Sequence, residues 1–150
     1  RGVTCTDEGR GQDCVKVYDI EMEKAPSWVK ELHISKLAPY IYDTCADVHF
    51  PIHISPAFAK MVGLPGIIFQ GTGMLAMVVR EITAAEADNN PCRIAGVQCR
   101  FTGMVRPDTN ITVCLLEKET EEGVTKCHFM VADATGKTVV RDGCVEIISA

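Results

Sequence analysis

Side chains that could carry chemistry concentrate in one stretch of the sequence, between Tyr42 and Gly73. His53 follows a turn that contains Pro51, and because an imidazole titrates near neutral pH it could serve there as a base. Gly71 stands where a long helix is expected to begin, and glycine lets a ligand approach the backbone closely. The first N–H groups of a helix have no partner within it and favour negative charge. The stretch therefore predicts a site that pairs an imidazole with main-chain donors.

Motifs for metals and nucleotides are missing from the sequence. Its eight cysteines form no C-x-x-C pair, and none stands at a zinc-site spacing from any of the four histidines. The glycines around residue 71 form neither G-x-G-x-x-G nor a P-loop. Four cysteines lie in apolar, strand-like runs, where a free thiol behaves as a small hydrophobe: Cys99, Cys114, Cys127 and Cys144. We therefore expect reduced core thiols and an intracellular, reducing location, either the cytoplasm or an organelle such as the mitochondrion or peroxisome.

Length and composition are those of one small domain. The chain has 150 residues, 47% hydrophobic and 23% charged, with a formal net charge of −5. These values exclude disorder and coiled coil, and the acidic balance disfavours nucleic-acid binding. The longest apolar stretches, Leu64–Phe69 and Met74–Val79, are shorter than the roughly 18 residues of a membrane span. We predict a flexible arm over residues 1–14, a single domain over residues 15–150, and neither a nucleic-acid nor a membrane partner.

One long helix stands at the centre of the predicted fold. The run Met74–Val79 within Phe69–Ala87 is apolar on all sides, which predicts a helix buried at least in its first half. Extended segments are predicted before it at Val15–Glu21 and Trp28–Ile34, and short helices from Ser35, as N-cap, to about Cys45 and over Ala57–Val62. Strands are predicted after it at Arg93–Phe101, Asn110–Glu117, Lys126–Ala132 and Lys137–Ile148. Short turns between these strands predict an antiparallel sheet of at least four strands, curled around the helix.

The candidate stretch also resembles a known family. Residues 42–53 read Y-D-T-C-A-D-V-H-F-P-I-H, and a helix opening with Q-G follows. This resembles the MaoC-like family of hot-dog-fold enoyl-thioester hydratases and dehydratases, whose pattern is close to Y-x-x-x-S-G-D-x-N-P-I-H-x-D-x-x-x-A-x-x-x-G before a helix opening with H-G. The matching positions are Tyr42, Pro51, Ile52, His53, Ala59, Gly63 and Gly71, with Arg100-Phe101 and Val105–Asp108 matching a later strand and turn. The resemblance covers roughly residues 35–148.

The resemblance implies a fold and a reaction. The fold is α+β, a hot-dog fold in which an antiparallel sheet wraps a long central helix. The reaction is the addition or removal of water at an acyl thioester such as an enoyl-CoA, by a homodimer whose active site lies near the subunit interface. No metal or redox cofactor is implied, since the substrate itself carries CoA or pantetheine. By position, the acid/base pair would be His53 with Asp47, and the N–H of Gly71 would polarise the thioester carbonyl. Substrate contacts are expected from Tyr42, Gln70, His49 and Gly71.

The sequence departs from the family pattern at several of its functional positions. Val48 and Phe50 stand where the family has its aspartate and asparagine, while Asp47 is one residue early and His49 one residue after Val48. Gln70 replaces the histidine before the helix. A loop that absorbs a one-residue shift would keep the enzyme active. Otherwise the chain is a non-catalytic acyl-thioester-binding domain or partner subunit. A hot-dog thioesterase is a third alternative.

Overall fold

Five strands and three α-helices make up the described part of the chain, which is residues 25–149 of the computed structural model. The strands are β1 (Trp28–Ile34), β2 (Ile94–Phe101), β3 (Thr109–Glu121), β4 (Val124–Asp133) and β5 (Thr138–Ile148). The helices are α1 (Ala38–Ala46), α2 (Pro56–Met61) and α3 (Gly71–Glu86), and 3-10 turns span Pro51–His53 and Pro91–Arg93. The predicted arm over residues 1–14 and the predicted strand Val15–Glu21 lie outside the described residues.

The five strands form one antiparallel sheet in the order β1-β3-β4-β5-β2. Alternation along β3 and β4 gives the sheet its apolar face, because successive side chains point to opposite sides of a strand. Ile111, Val113 and Leu115 on β3 are fully buried, as are Phe129 and Val131 on β4. The predicted antiparallel sheet and these inward-facing residues are confirmed.

The edge strand β2 differs from the interior strands. It pairs only with β5, and its register shifts twice along the pairing. Alternation places four residues on one face of this strand: Ala95, Val97, Cys99 and Phe101. Three of them are exposed, and Cys99 is half-buried. This strand therefore presents an apolar face outside the core of the chain.

The long helix α3 is confirmed, with its ends within two residues of the predicted ones. Met74, Val78 and Ile82 recur at every fourth position and are buried in the core with the strands. Thr72 and Ala76, on another side of the helix, are exposed. The expectation that the first half of this helix is buried on every side is wrong for the single chain, because the sheet covers one side only.

The start of α1 corrects one sequence prediction. Ser35 was expected as the N-cap, but the helix begins at Ala38 after Leu37, whose side chain makes no capping hydrogen bond. The carbonyl of Ser35 instead accepts a hydrogen bond from the N–H of Ala38 in a turn before the helix. Pro39 still falls in the first helical turn, where its missing N–H costs nothing.

The six cysteines in the described residues are free thiols, and of the four expected in the core Cys99 and Cys114 are only half-buried. Cys45 and Cys92 are exposed, and Cys127 and Cys144 are buried. Burial raises the pKa of both buried thiols to about 11, because the thiolate loses its hydration there. The two buried thiols are therefore neutral packing groups at physiological pH.

Candidate active site

His53 is attached to the segment that leads into α3. Its Nδ1 lies 2.9 Å from the carbonyl oxygen of Ile68, and the N–H of Ile68 donates back to the carbonyl of Ile52. A carbonyl oxygen can only accept, so Nδ1 carries the hydrogen in this bond. In the neutral ring, Nε2 is then the nitrogen with a free lone pair, and it has no hydrogen bond within residues 25–149. The half-buried imidazole is thus held in the tautomer that a base at Nε2 requires.

The side chains next to this imidazole are apolar. The ring of Phe50 meets the His53 ring edge-on, with 6.0 Å between the ring centroids. Val48 and Phe50, at the family's aspartate and asparagine positions, are 40% and 51% exposed. Among the residues that the structure describes, no Asp or Glu oxygen lies within 4.0 Å of His53.

Asp47 is joined to His49 rather than to His53. It caps the C-terminus of α1 in the left-handed conformation, with φ 52°, and its side chain is 92% exposed. Its Oδ1 lies 2.9 Å from Nε2 of His49. The catalytic pairing of Asp47 with His53 remains a prediction.

A buried aspartate, Asp43, was missed by the sequence analysis. It lies on the inner face of α1, is 4% exposed, and its Oδ2 is 2.9 Å from Nδ1 of His49. His49 therefore has a carboxylate on each ring nitrogen. Its pKa is raised from the ordinary value of 6.5, first by the hydrogen bond and charge of Asp43 and then by Asp47. The one signal in the sequence was the position of Asp43, one turn after Pro39 and beside the predicted site residue Tyr42.

Gln70 lies immediately before α3 but does not cap the helix with its side chain. Its carboxamide is buried, and Nε2 donates to the carbonyl oxygen of Pro39 in α1 at 3.0 Å. This bond links the two helices at the point where α3 begins.

The beginning of α3 offers main-chain donors. The first intrahelical bond runs from the N–H of Met74 to the carbonyl of Gln70, so the N–H groups of Gly71, Thr72 and Gly73 have no acceptor within the described residues. A Cβ added at Gly71 would come within 3.1 Å of the Phe101 ring, so an aromatic side chain covers this glycine on its Cβ side. The donors and the dipole of the helix favour a negatively charged oxygen at this end.

An apolar cavity adjoins the outer side of α3. Tyr42 meets Phe69 edge-on with centroids 6.3 Å apart, and both rings border a cavity of about 430 Å³. The other lining residues are Ser35, Ala38, Ile41, Cys45, Gly73, Ala76, Met77 and Arg80. This volume lies in the range of small-molecule sites. Of the predicted site residues, Tyr42 lines this cavity, whereas Gln70 and His53 do not and instead lie at, or are bonded to, the segment that leads into α3.

Two further observations concern membranes and metal ions. Within residues 25–149, no helix is both long enough and apolar enough to cross a lipid bilayer. In the same part of the chain, no three His, Cys, Asp or Glu side chains are grouped so that they could hold a metal ion.

Solved structures with the same architecture define its class. The full-length peroxisomal multifunctional enzyme type 2 of Drosophila melanogaster matches with a TM-score of 0.73 and 28% identity, over 83% of this chain and 23% of that one. A MaoC-like dehydratase of Phytophthora capsici matches at 0.74 and 20%, over 85% of this chain and 42% of that one. An (R)-hydratase of A. caviae matches at 0.69 and 13%, over 87% of this chain and 100% of that one. The fold is the hot-dog fold, as predicted.

Sequence comparison identifies the family. The family model described as MaoC like domain matches residues 19–139, and the chain belongs to this family. The Drosophila melanogaster multifunctional enzyme is 34% identical over 101 residues, which cover 67% of this chain and 16% of that protein. The fatty acid synthase beta subunit TOXC of Cochliobolus carbonum is 35% identical over 91 residues, 60% of this chain and 4% of that one. The chain thus spans only a small part of the length of these relatives.

Proposed function

We propose that this MaoC-like domain is a hydro-lyase that adds or removes water at the α,β-position of an acyl thioester such as an enoyl-CoA. The observation that carries the proposal is His53, held with Nε2 free by the carbonyl of Ile68, three residues before the unpaired N–H groups that open α3. A base and an oxyanion-binding donor pair are the two groups that this reaction needs most. Family membership supports the same reaction.

Dehydration begins at Cα of a 3-hydroxyacyl thioester. Nε2 of His53 takes the proton from Cα of a 3-hydroxyacyl thioester, and the negative charge passes to the thioester oxygen. The N–H of Gly71 stabilises that oxygen. An acidic partner protonates the hydroxyl at Cβ, the C–O bond breaks, and water leaves. Asp47 is the partner that the sequence put forward, and its side chain is bonded to His49, another of the predicted site residues. Hydration is the reverse.

The cavity beside α3 supports an acyl thioester as the substrate. Its lining is mainly apolar, as an acyl chain requires, and Tyr42 contacts both the cavity and the start of the helix. One structural match is titled an (R)-hydratase, and a Dictyostelium discoideum relative is named a probable enoyl-CoA hydratase 2. The proposed substrate carries CoA or a protein-bound pantetheine. Because the addition of water changes no net oxidation state, the proposed reaction needs no redox cofactor, and the proposal assigns no metal to it.

We extend the proposal to a homodimer. Val97 and Phe101 on the edge strand β2 are exposed, and so is one side of α3. A second copy that paired along β2 would bury these apolar groups. One of the similar solved structures is that of the ChsH1-ChsH2 complex from Mycobacterium tuberculosis. The names of two relatives, both called peroxisomal multifunctional enzyme type 2, favour the peroxisome among the expected locations.

A second candidate function is an acyl-thioester-binding domain or partner subunit without catalysis. It is favoured by the apolar side chains of Val48 and Phe50, and by the absence of a carboxylate within 4.0 Å of His53 in the described residues. Such a domain would bind the thioester in the same cavity and leave it unchanged.

The test is a panel of enoyl-CoA thioesters of increasing chain length, with hydration followed by loss of the conjugated double bond. We expect the wild type to hydrate at least one member, and His53→Ala to be slower by about 10²- to 10⁴-fold. His33→Ala is the matched control, because His33 is an exposed histidine on β1. Binding without turnover would favour the second candidate, and release of free CoA, detected with a thiol reagent, would favour a thioesterase.

A further inference from the structure

Two buried oxygens near the start of α3 lack hydrogen-bond donors within residues 25–149. They are Oδ1 of Asp43 and Oε1 of Gln70. Neither side chain can turn to relieve this. The other oxygen of Asp43 is bound to His49, and the nitrogen of Gln70 is bound to the carbonyl of Pro39. Buried acceptors without donors are unfavourable, and in folded proteins they are usually satisfied by solvent or a ligand.

The two acceptors belong to one small region. In α1 the carbonyl of Pro39 is the acceptor, four residues back, for the backbone N–H of Asp43. The same carbonyl accepts the hydrogen bond from Gln70. The carboxamide of Gln70 therefore lies against the helical turn that carries Asp43. Both side chains face inward, since Pro39 and Asp43 are the two buried residues of α1 and Gln70 is 2% exposed.

The chemistry of the pair selects its ligand. Both free atoms accept hydrogen bonds, so an anion or a carbonyl group is excluded, and a molecule with two hydrogens on one small atom fits best. Water is such a molecule. With one hydrogen on each acceptor, its oxygen lone pairs point away from both.

We propose that Asp43 and Gln70 bind the water molecule of the reaction, and that Asp43 takes the place of the acidic residue that the family pattern has at position 48. The inference rests on the proposed function. In hydration the water oxygen forms a bond to Cβ. The O–H bond of the water that points at Asp43 breaks, and Asp43 receives that proton. His53 supplies the proton that Cα gains. In dehydration Asp43 returns its proton to the departing hydroxyl, and water is released between Asp43 and Gln70.

His49 acts as a positioning residue in this arrangement. Its Nδ1 holds Oδ2 of Asp43, which leaves only Oδ1 for water, and Asp47 holds the opposite nitrogen of the ring. Because His49 lies between two carboxylates, its ring fixes the orientation of the Asp43 carboxylate. The replacement of the family's acid by Val48 is then compensated by a carboxylate from α1.

The first arm of the test is a high-resolution crystal structure of the full chain. We expect one ordered water within hydrogen-bonding distance of both Oδ1 of Asp43 and Oε1 of Gln70. A protein donor on either oxygen, including one from residues 1–24, would overturn the inference, as would a separation too large for one water to bridge. This arm needs no activity. If no enoyl-CoA is hydrated but the water is present, the proposed function fails and the binding site stands.

The second arm is kinetic, on the enoyl-CoA that the wild type hydrates best. Asp43→Asn replaces an acceptor by an amide and is expected to lower kcat by about 10²- to 10⁴-fold with little change in KM, because the site binds water rather than the thioester. Asp88→Asn is the matched control, an exposed aspartate at the far end of α3. Circular dichroism checks that each variant is folded. If Asp43→Asn keeps kcat within about threefold of wild type, the inference is overturned, and a loss of kcat in Asp47→Asn would then identify Asp47 as the acid.

Discussion

His53 and Ile68 are joined by a hydrogen bond of 2.9 Å between the imidazole Nδ1 and a main-chain carbonyl oxygen. The bond is to backbone, so no substitution of the Ile68 side chain removes the acceptor. It fixes the tautomer of His53 and ties the Pro51–His53 turn to the segment that becomes α3 three residues later. The base and the helix N-terminus are therefore parts of one structural unit.

Close packing of α1 on α3 makes Gly73 sensitive to substitution. A Cβ at this position would lie 2.8 Å from the Phe69 ring and 3.0 Å from the Tyr42 ring. Gly73→Ala is expected to lower the free energy of unfolding by about 1–2 kcal/mol, because two packed rings must move. Chemical denaturation measures the change. The matched control is Gly66→Ala, where nothing lies within 4 Å of the new Cβ. Equal stability of the two variants would contradict the described packing.

The buried carboxylate of Glu81 predicts a pH-dependent contribution to stability. It is bound by Lys30 and by Arg80, and hydrogen bonds from these two cations lower its pKa from the ordinary value of 4.5. A lowered pKa contributes stability that is present above 4.5 and is lost as pH falls through the folded-state value. Glu81→Gln should therefore cost about 1 kcal/mol at neutral pH, since both partners are largely exposed, and much less near pH 2.

Urea unfolding of Glu81→Gln and wild type at several pH values tests this expectation, with the exposed Glu122→Gln as the control. A difference between Glu81→Gln and wild type that is the same at neutral pH and near pH 2 would show that the ion pairs of Glu81 do not contribute as described.

Thiol reactivity should divide the described cysteines by burial. Alkylation of the native protein near pH 8 is expected to modify Cys45 and Cys92 first, because both are exposed. Cys127 and Cys144, with pKa values raised to about 11 by burial, should react only after unfolding. Peptide mapping by mass spectrometry locates the labels, and labelling in denaturant provides the control. Native labelling of Cys127 at the rate of Cys45 would contradict the packing of β4.

Local signals were sufficient to predict most elements of the fold. The strand Trp28–Ile34 has the predicted ends, and Ser55 caps α2 by accepting a hydrogen bond from the N–H of Phe58. Such features depend on residues a few positions apart, so their types and spacing determine them. The shape of β2 was less predictable, because its irregular register depends on β5, more than forty residues later in places.

The candidate site was predicted only in part for a related reason. The motif ending in His53 identified the histidine and the helix that follows it. Asp43 was missed because an aspartate in a short helix is usually solvent-exposed, and only the packing of α1 on α3 makes it buried. The contact of His49 with both Asp43 and Asp47 depends on the left-handed turn at Asp47, which reverses the chain after α1.

The most direct measurement of the central claim is incorporation of deuterium at Cα during turnover of an enoyl-CoA in D₂O, followed by NMR for wild type and His53→Ala. If His53 exchanges a proton with Cα, the wild type should give product labelled at Cα, and the variant should be slower by about 10²- to 10⁴-fold while still binding the thioester. Equal labelling rates in the two proteins would contradict the assignment of His53 as the base.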